Sequence, residues 1–247
     1  MIVVCLANVR SGTTALARCF RGSESFVNLG EIFYNSDGLM GHYVKRWEAP
    51  NCPSIDRFEE YLEFLRSDPN HLYWIDIKFH DLSRFDPIQY GLLEPPKLLL
   101  KLIEYGDQAL LLDRSNCLRG ACSVLQATAT GNFHSKGGVS GDGSQRKDCI
   151  SRPDTIQAVR LSQIRKNQFL AVERFLLSHT NLFVSDYESM FHDVEGSDNR
   201  AFLGQWMGLE VVQEPDLRKI SSDWPDWFDV DLARTILDGT GDHWWTA

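Results

Sequence analysis

The chain has 247 residues, of which 43% are hydrophobic, 24% charged and 11% aromatic, a composition typical of a globular protein with a core of normal size. Its formal net charge of −9 argues against a dedicated nucleic-acid binder, because such proteins need a basic face to displace phosphate counterions. No apolar run approaches the ~20 residues of a membrane-spanning helix, and the opening residues lack a signal-peptide pattern. We therefore predict a cytoplasmic protein whose six cysteines are reduced.

The chain opens with an apolar, β-branched run at Ile2–Leu6, which predicts a buried strand, and residues 11–21 follow it as a helix. Residues 131–152, rich in Gly and Ser, predict a long loop that could close over a bound molecule. Apolar patterns with Pro and Gly punctuation predict further strands at Leu72–Phe79, Ala109–Leu112 and Leu182–Val184, and helices beginning near Ser54 and at 95–105, 116–130 and Pro153–Ser178.

Strands and helices therefore alternate along the chain. This order predicts an α/β fold, a three-layer sandwich in which a parallel sheet is flanked by helices on both faces, within a single domain over residues 1–247. Residues 191–247 are helical in pattern. Inward-facing candidates on the helix at Pro153–Ser178 are Ile164, Val172, Phe175 and Leu176. In the last part of the chain, Phe202, Leu203, Trp206 and Met207 share one helical face.

The turn after the first strand reads Ala7-Asn8-Val9-Arg10-Ser11-Gly12-Thr13-Thr14. A strand-to-helix turn presents backbone N–H groups at the positive end of a helix, Gly12 lets the backbone approach an anion, and Ser11, Thr13 and Thr14 add hydroxyl donors. Arg10 adds a permanent positive charge. Aligned on Gly12 with the Walker A pattern, the loop has Ala7 for the first glycine and Thr13 for the lysine, so it predicts a phosphate-like ligand without the usual triphosphate chemistry.

Arg-Ser-Gly-Thr-Thr after a first strand resembles the 5′-phosphosulfate loop of the sulfotransferase family, which implies a P-loop-like fold and 3′-phosphoadenosine 5′-phosphosulfate as the donor. Residues 1–190 resemble the family core, most closely the bacterial trehalose-sulfotransferase type. The resemblance implies that Arg10, Ser11, Gly12, Thr13 and Thr14 bind the phosphosulfate. Where cytosolic members have a Trp that stacks on the adenine, this chain has Ala15, so another group must hold the adenine.

Arg114 follows the strand at Ala109–Leu112, and Ser123 lies about two turns along the next helix. An Arg fork and a hydroxyl at such places can close on one phosphate group. This pair resembles the 3′-phosphate site of sulfotransferases. The resemblance thus implies Arg114 and Ser123 as further donor-binding residues.

Transfer of a sulfuryl group needs a base for the acceptor hydroxyl and positive groups for the leaving side, without a metal if Arg10, Lys78 and backbone N–H groups supply them. Glu31, in a Gly-Glu-aromatic segment, stands where the trehalose-type members supply a catalytic glutamate. His80 is the rival, because cytosolic members have a Lys-x-His at the end of this strand whose His is the base. Lys78 belongs to the same motif and is the candidate for the bridging oxygen of the donor. His134, in the long loop, is a further candidate for contact with the acceptor.

The predicted activity is transfer of a sulfuryl group to a hydroxyl of a carbohydrate or other small molecule. Two alternatives stay open at this point. An atypical P-loop kinase would need Mg²⁺ and ATP, and the missing lysine argues against it. A non-catalytic nucleotide-binding module would bind the nucleotide without turnover. The sequence leaves the identity of the acceptor and the oligomeric state open.

Overall fold

A computed structural model of the protein describes residues 1–36, 39–48, 54–86, 95–130, 153–177, 181–191, 193–211 and 224–240. The described strands are β1 (Ile2–Ala7), β2 (Phe26–Glu31), β3 (Asn35–Ser36), β4 (Leu39–Met40), β5 (Leu72–Lys78), β6 (Gln108–Asp113) and β7 (Leu182–Asp186). The described α-helices are α1 (Thr13–Cys19), α2 (His42–Arg46), α3 (Ile55–Arg66), α4 (Lys97–Tyr105), α5 (Cys117–Thr130), α6 (Thr155–Leu176), α7 (Tyr187–Phe191), α8 (Asp193–Met207) and α9 (Val230–Thr240). A 3₁₀ helix over Phe79–Ser83 directly follows β5.

The described residues form two compact units. The first contains Met1–Asp113 and Gln168–Leu217, and the second contains Arg114–Asn167 and Arg218–Ala247. No helix in the described ranges is long and apolar enough to cross a membrane.

The first unit is built on a five-stranded parallel sheet in the order β2-β5-β1-β6-β7, with β3 and β4 as a separate antiparallel pair. The chain crosses the sheet in one direction from β1 to β2, and in the opposite direction from β2 through β5 and β6 to β7. Because crossovers between parallel strands are right-handed, α1 should lie on one face of the sheet and α3, α4 and α6 on the other.

The buried residues of the first unit follow this rule. Even-numbered residues of β1 pack in a cluster with α3, α4 and the last turns of α6, whereas odd-numbered residues pack with α1, α7 and α8. Every residue of β1 is buried, as expected for a central strand covered on both faces. The predicted α/β class, with a parallel sheet and helices on both faces, is confirmed.

The second unit has its own apolar cluster, contributed by α5, the first turns of α6 and α9. The indole N–H of Trp227 donates to Gln126 Oε1 over 2.7 Å, and the guanidinium of Arg119 lies 4.7 Å from the ring centre of Trp224. The Thr155 hydroxyl accepts the backbone N–H of Asp229 over 2.8 Å. These contacts join α5 and the start of α6 to the segment that leads into α9.

Several sequence-based assignments were wrong. Strands β2, β3 and β4 were not predicted, and the strand predicted at Leu72–Phe79 ends at Lys78. This strand, β5, is the third strand of the parallel sheet in chain order. Ile164, predicted to face inward, is exposed, while Val172 and Leu176 are buried as predicted. Phe202 is exposed, although Leu203 and Met207 of the same predicted face are buried. A helix of moderate apolar content has several faces with similar periodicity, and its tertiary neighbours decide which face is buried.

Candidate active site

The carboxyl ends of β1, β2 and β5 meet at one edge of the sheet. Ala7 pairs with Lys78, and Glu31 pairs with Asp76. The helix after β1 packs on one face of the sheet and the helix after β5 on the other, which opens a crevice at the ends of these neighbouring strands. Ligands of open parallel sheets bind in such crevices. The topology therefore places the loop after β1 at the position where a ligand is expected.

The loop between β1 and α1 alternates in backbone handedness. Arg10 has φ 65° and Gly12 has φ 80°, whereas Ser11 between them is right-handed or extended. Such alternation turns successive N–H groups toward one side and forms an anion-binding concavity. A left-handed conformation is strained for arginine, and strain of this kind is concentrated at functional sites. Arg10 is exposed at the tip of the loop.

Ser11 is the least accessible polar group of this loop. Its side chain is 0% exposed, and within the described part of the chain its hydroxyl has no hydrogen-bond partner. A buried hydroxyl without a partner costs free energy, so it signals a missing acceptor or donor. An anion seated on the loop would supply that acceptor.

Gly12 has a steric role in addition to its left-handed backbone. An added Cβ would lie 2.5 Å from Cδ2 of Tyr187 and 3.0 Å from Cε2 of Phe191, so any side chain would displace these rings. Tyr187 is the first residue of α7, directly after β7. The two rings pack against each other with centres 4.8 Å apart and close one side of the loop.

Thr13, Asp76 and Lys78 form a buried hydrogen-bonded cluster beneath the loop. The Thr13 hydroxyl donates to Asp76 Oδ2 over 2.5 Å. The Lys78 ammonium donates to Thr13 Oγ1 and to both carboxylate oxygens of Asp76, each over 2.8 Å. Thr13 stands where the Walker A pattern has its lysine, so β5 brings an ammonium group to the place where the loop lacks one.

The cluster keeps Lys78 charged although its side chain is only 2% exposed. Burial alone would lower the pKa of Lys78, but the carboxylates of Asp76 and Glu31 and the hydrogen bond to Asp76 outweigh burial and raise it. Asp76 was not singled out in the sequence, where it reads as one more residue of an apolar strand. The sequence offered only one weak indication of its role, which is that Asp76 is the single carboxylate in an apolar strand and lies two positions before Lys78.

Glu31 lies at the open side of this cluster. Its Oε1 is 3.4 Å from Lys78 Nζ, and its side chain is 31% exposed. Burial raises the pKa of Glu31, the nearby Lys78 opposes that shift, and Asp76 adds to it. A carboxylate with a raised pKa and access to solvent suits a group that accepts a proton.

A bulge in β2 decides which way Glu31 points. Phe26, Asn28 and Glu31 pair with Leu72, Trp74 and Asp76, and the register shifts by one residue between Asn28 and Gly30. Paired residues on neighbouring strands point to the same face of a sheet. Without the shift, Glu31 would pair one residue further along β5 and point into the apolar cluster on the opposite face.

His80, the rival base, does not lie at the end of the strand. It belongs to the 3₁₀ helix that begins at Phe79, because Asp81 accepts the backbone N–H of Lys78 and turns the chain there. The His80 side chain is 67% exposed, and its Nε2 lies 3.5 Å from Asp81 Oδ1. The structure thus brings Glu31, Lys78 and the loop together, while His80 contacts Asp81.

Arg114 and Ser123 belong to the second unit. Arg114 directly follows β6, as expected, and Ser123 is the seventh residue of α5. A Cβ added to Gly120 would lie 3.3 Å from Arg114 Cδ and 3.3 Å from Arg165 Nη2, so two buried arginines approach the same point of α5. Ser123 lies three residues beyond Gly120, on the same side of the helix. Arg165 was missed, because an arginine within a long helical pattern carries no distinguishing signal.

The long loop 131–152 with His134 lies outside the described residues. In the described ranges, no group of three or more His, Cys, Asp or Glu side chains is placed to hold a metal ion.

No family model matches the chain, and no curated protein matches it at a significant level. The site must therefore be interpreted from its own chemistry.

Proposed function

We propose that the protein is a sulfotransferase that moves the sulfuryl group of 3′-phosphoadenosine 5′-phosphosulfate to a hydroxyl of a carbohydrate or other small acceptor. One observation carries the proposal: Thr13 of the anion loop is hydrogen-bonded to Lys78, and Lys78 lies 3.4 Å from the carboxylate of Glu31. An anion loop, a buried ammonium and a carboxylate with a raised pKa thus stand side by side. Transfer of a sulfuryl group to an alcohol needs these three components.

The loop holds the phosphosulfate of the donor in this proposal. Backbone N–H groups, the Ser11 hydroxyl and the Arg10 guanidinium bind its oxygens. Lys78 balances the negative charge that develops on the leaving phosphate. The carboxylate of Asp76 reduces the positive charge that Lys78 presents to the donor. The two hydrogen bonds that Asp76 accepts from Lys78 also fix the position of the ammonium group.

Glu31 acts as the general base. It takes the proton of the acceptor hydroxyl, the hydroxyl oxygen forms a bond to sulfur, and the bond between sulfur and the phosphate oxygen breaks. The products are the sulfated acceptor and 3′-phosphoadenosine 5′-phosphate, and the proton remains on Glu31 until it passes to solvent. Burial favours the protonated carboxyl, which supports this assignment over the exposed His80.

Arg114 and Ser123 bind the 3′-phosphate of the donor in this proposal, and Arg165 joins them. Support comes from the second unit alone, where the side chains of Arg114 and Arg165 both approach Gly120 on the side of α5 that carries Ser123. Two guanidinium groups and a hydroxyl are a set of donors suited to a phosphate group.

Binding of 3′-phosphoadenosine 5′-phosphate in EDTA, followed by calorimetry, tests the donor site. Arg10→Ala and Arg114→Ala should each abolish binding while thermal unfolding stays cooperative. Arg66→Ala is the matched control, because Arg66 pairs with Asp107 on the surface, 3.8 Å away. Donor affinity unchanged in both site variants would contradict the assignment.

A P-loop kinase is the second candidate, and the buried strand aspartate Asp76 beneath the loop favours it. In P-loop NTPases a strand aspartate holds Mg²⁺ together with the loop hydroxyl that follows the Walker lysine, and the residue at that hydroxyl position is Thr14 here, one residue beyond the Thr13 that bonds Asp76. Here both oxygens of Asp76 already accept from Lys78, so a cation would have to displace an ammonium group. Mg²⁺-dependent hydrolysis or transfer from ATP, abolished by EDTA, would support this candidate instead.

A non-catalytic nucleotide-binding module is the third possibility, and it differs only in turnover. It would bind 3′-phosphoadenosine 5′-phosphate, and Glu31→Gln would change nothing measurable.

We also propose a cytoplasmic location, supported by four buried cysteine thiols, at positions 5, 19, 117 and 122. A small molecule or glycan is the proposed partner, with no role for nucleic acid in view of the acidic composition.

A further inference from the structure

A cavity that is open to solvent lies in the first unit, between α1 and the edge strand β2. Its volume is about 360 Å³, within the range of small-molecule sites. Its lining residues are Thr14, Arg18, Arg21, Phe26 and Asn28. None of them has a catalytic role in the proposed function, although Thr14 is the last residue of the anion loop and is among the residues expected to bind the phosphosulfate.

The two arginines make this cavity electrostatically unusual. Neither Arg18 nor Arg21 has a salt bridge or a side-chain hydrogen bond within the described part of the chain, whereas Arg66 and Arg84 of the same unit pair with carboxylates. Thr14 and Arg18 are four residues apart on α1, so they lie on one side of the helix, and Arg21 follows its end. In a protein of net charge −9, this concentrates uncompensated positive charge at one concave place.

The remaining walls suit a small ligand that is partly apolar and partly polar. The ring of Phe26 is held from behind by Phe20 and Trp74, at 5.9 Å and 6.3 Å between ring centres. Asn28 uses its amide oxygen to accept the backbone N–H of Gly30, which leaves its amide nitrogen as a donor for a ligand.

The cavity and Glu31 lie on the same face of the sheet. Phe26, Asn28 and Glu31 share that face because of the bulge in β2. Asn28 and Glu31 are three residues apart along the strand, roughly 10 Å. A molecule seated in the cavity can therefore present a hydroxyl to Glu31 while its far end contacts the arginines.

We infer that this cavity binds the acceptor and that the acceptor carries an anionic group, a phosphate, sulfate or carboxylate, which Arg18 and Arg21 recognise. The assignment to an acceptor rests on the proposed function, whereas the binding of an anion in the cavity does not. The reacting hydroxyl lies at the other end of the acceptor, beside Glu31.

The test uses inorganic phosphate as the probe, titrated by calorimetry into the full-length protein already saturated with 3′-phosphoadenosine 5′-phosphate. The nucleotide fills the 5′-phosphate position of the loop but not the position of the sulfuryl group, so the variants of Arg18 and Arg21 decide whether phosphate binds in the cavity. We expect one site whose affinity falls at least about tenfold in Arg18→Ala/Arg21→Ala, since each guanidinium contributes a charge-assisted hydrogen bond. Arg18→Lys/Arg21→Lys should retain part of the affinity, and Arg66→Ala all of it.

Phosphate that binds equally well to the double alanine variant, or fails to bind the wild type, overturns the inference. The thermal unfolding of the double variant, measured alongside, should match that of wild type because both side chains are exposed. A protein that binds phosphate through the two arginines but does not bind the nucleotide would refute the proposed function and the acceptor role, and would leave the anion site standing.

Discussion

The backbone N–H of Gly30 donates a hydrogen bond of 2.9 Å to Asn28 Oδ1, and this contact lies within the bulge that turns Glu31 toward Lys78. Gly30 adopts φ 63°, a left-handed conformation that glycine reaches at little cost. β-bulges next to active sites commonly re-aim one side chain. The orientation of the Glu31 side chain therefore depends on the bulge between Asn28 and Gly30.

Gly30→Ala should reduce both stability and turnover. An added Cβ meets no atom within 4 Å, so the change acts only through the left-handed backbone, at a cost of about 1–2 kcal/mol. Gly208→Ala is a matched control, because Gly208 has φ 72° and equally open surroundings but lies at the end of α8. We expect both variants to lose similar free energy of unfolding and only Gly30→Ala to lose turnover. Equal turnover in the two variants would contradict a positioning role for the bulge.

Glu31 and His80 are distinguished by the pH dependence of turnover. Because burial raises the pKa of Glu31 above its ordinary 4.5, the acid limb of the profile of kcat/KM should lie above pH 4.5, with activity rising as the carboxyl loses its proton. Glu31→Gln should abolish that limb and most of the activity, whereas His80→Asn should leave both in place. An acid limb that disappears in His80→Asn would transfer the role of base to His80.

The raised pKa of Glu31 also predicts a gain in stability for Glu31→Gln at neutral pH. A carboxyl whose pKa is higher in the folded state stabilises the fold below its unfolded pKa, and that contribution is lost as the pH rises through the folded pKa. Glutamine avoids this loss. The stability difference between variant and wild type, measured by urea unfolding, should therefore shrink as the pH falls to about 4.5. A lower free energy of unfolding for Glu31→Gln than for wild type at pH 7 would contradict this prediction.

Asp76→Asn should be among the most damaging single changes in the first unit. It leaves the buried ammonium of Lys78 without its nearest counterion, and removal of one partner of a buried pair costs about 3–5 kcal/mol. Asp76→Leu combined with Lys78→Met should recover much of that loss, because neither charge then remains buried. Because the pKa of Lys78 is raised, the contribution of its charge to stability is complete at neutral pH and is lost as the pH rises through that pKa.

Glu104→Gln serves as the control for this series, since Glu104 pairs with Lys101 on the surface and the change should alter stability little. Chemical unfolding of these three variants and of the wild type gives the comparison. If Asp76→Asn were no more damaging than Glu104→Gln, Lys78 would not be held by a buried pair.

Much of the fold could be predicted from the sequence because its strongest patterns are local. The run at the start of β1 and the Pro and Gly limits of α4 depend on neighbouring residues only, and both elements were predicted close to their observed bounds. The strand β2 was missed because Asn28 and Gly30 weaken its strand pattern, and these are the residues that form the bulge.

The composition of the site was less predictable, since it depends on long-range pairing. Glu31, Lys78 and Thr13 could each be proposed from their own motifs, but their proximity follows from the order of β2, β5 and β1 in the sheet. Asp76 lacked any motif, and its importance arises only from the two groups that donate to it. Sequence patterns indicate which residues can take part in a site, whereas the order of the strands in the sheet decides which of these residues lie close together.

Ser11→Ala should change stability and ligand affinity in opposite directions. Removing a buried hydroxyl that lacks a partner should stabilise the protein by about 1 kcal/mol, while the loss of a donor to the anion should weaken nucleotide binding. Ser162→Ala is the contrasting control, because the buried Ser162 hydroxyl donates to the carbonyl of Val159 over 2.7 Å. That variant should lose stability and bind nucleotide normally. A destabilised Ser11→Ala with unchanged affinity would remove Ser11 from the site.

Donor binding by the wild-type protein is tested by calorimetric titration with 3′-phosphoadenosine 5′-phosphate in EDTA, beside adenosine 5′-phosphosulfate in EDTA and ATP with Mg²⁺. We expect tight binding that requires the 3′-phosphate and no metal, and that Ser11→Ala weakens. Absence of binding would contradict the sulfotransferase proposal, and a preference for ATP with Mg²⁺ would contradict it and favour the kinase candidate.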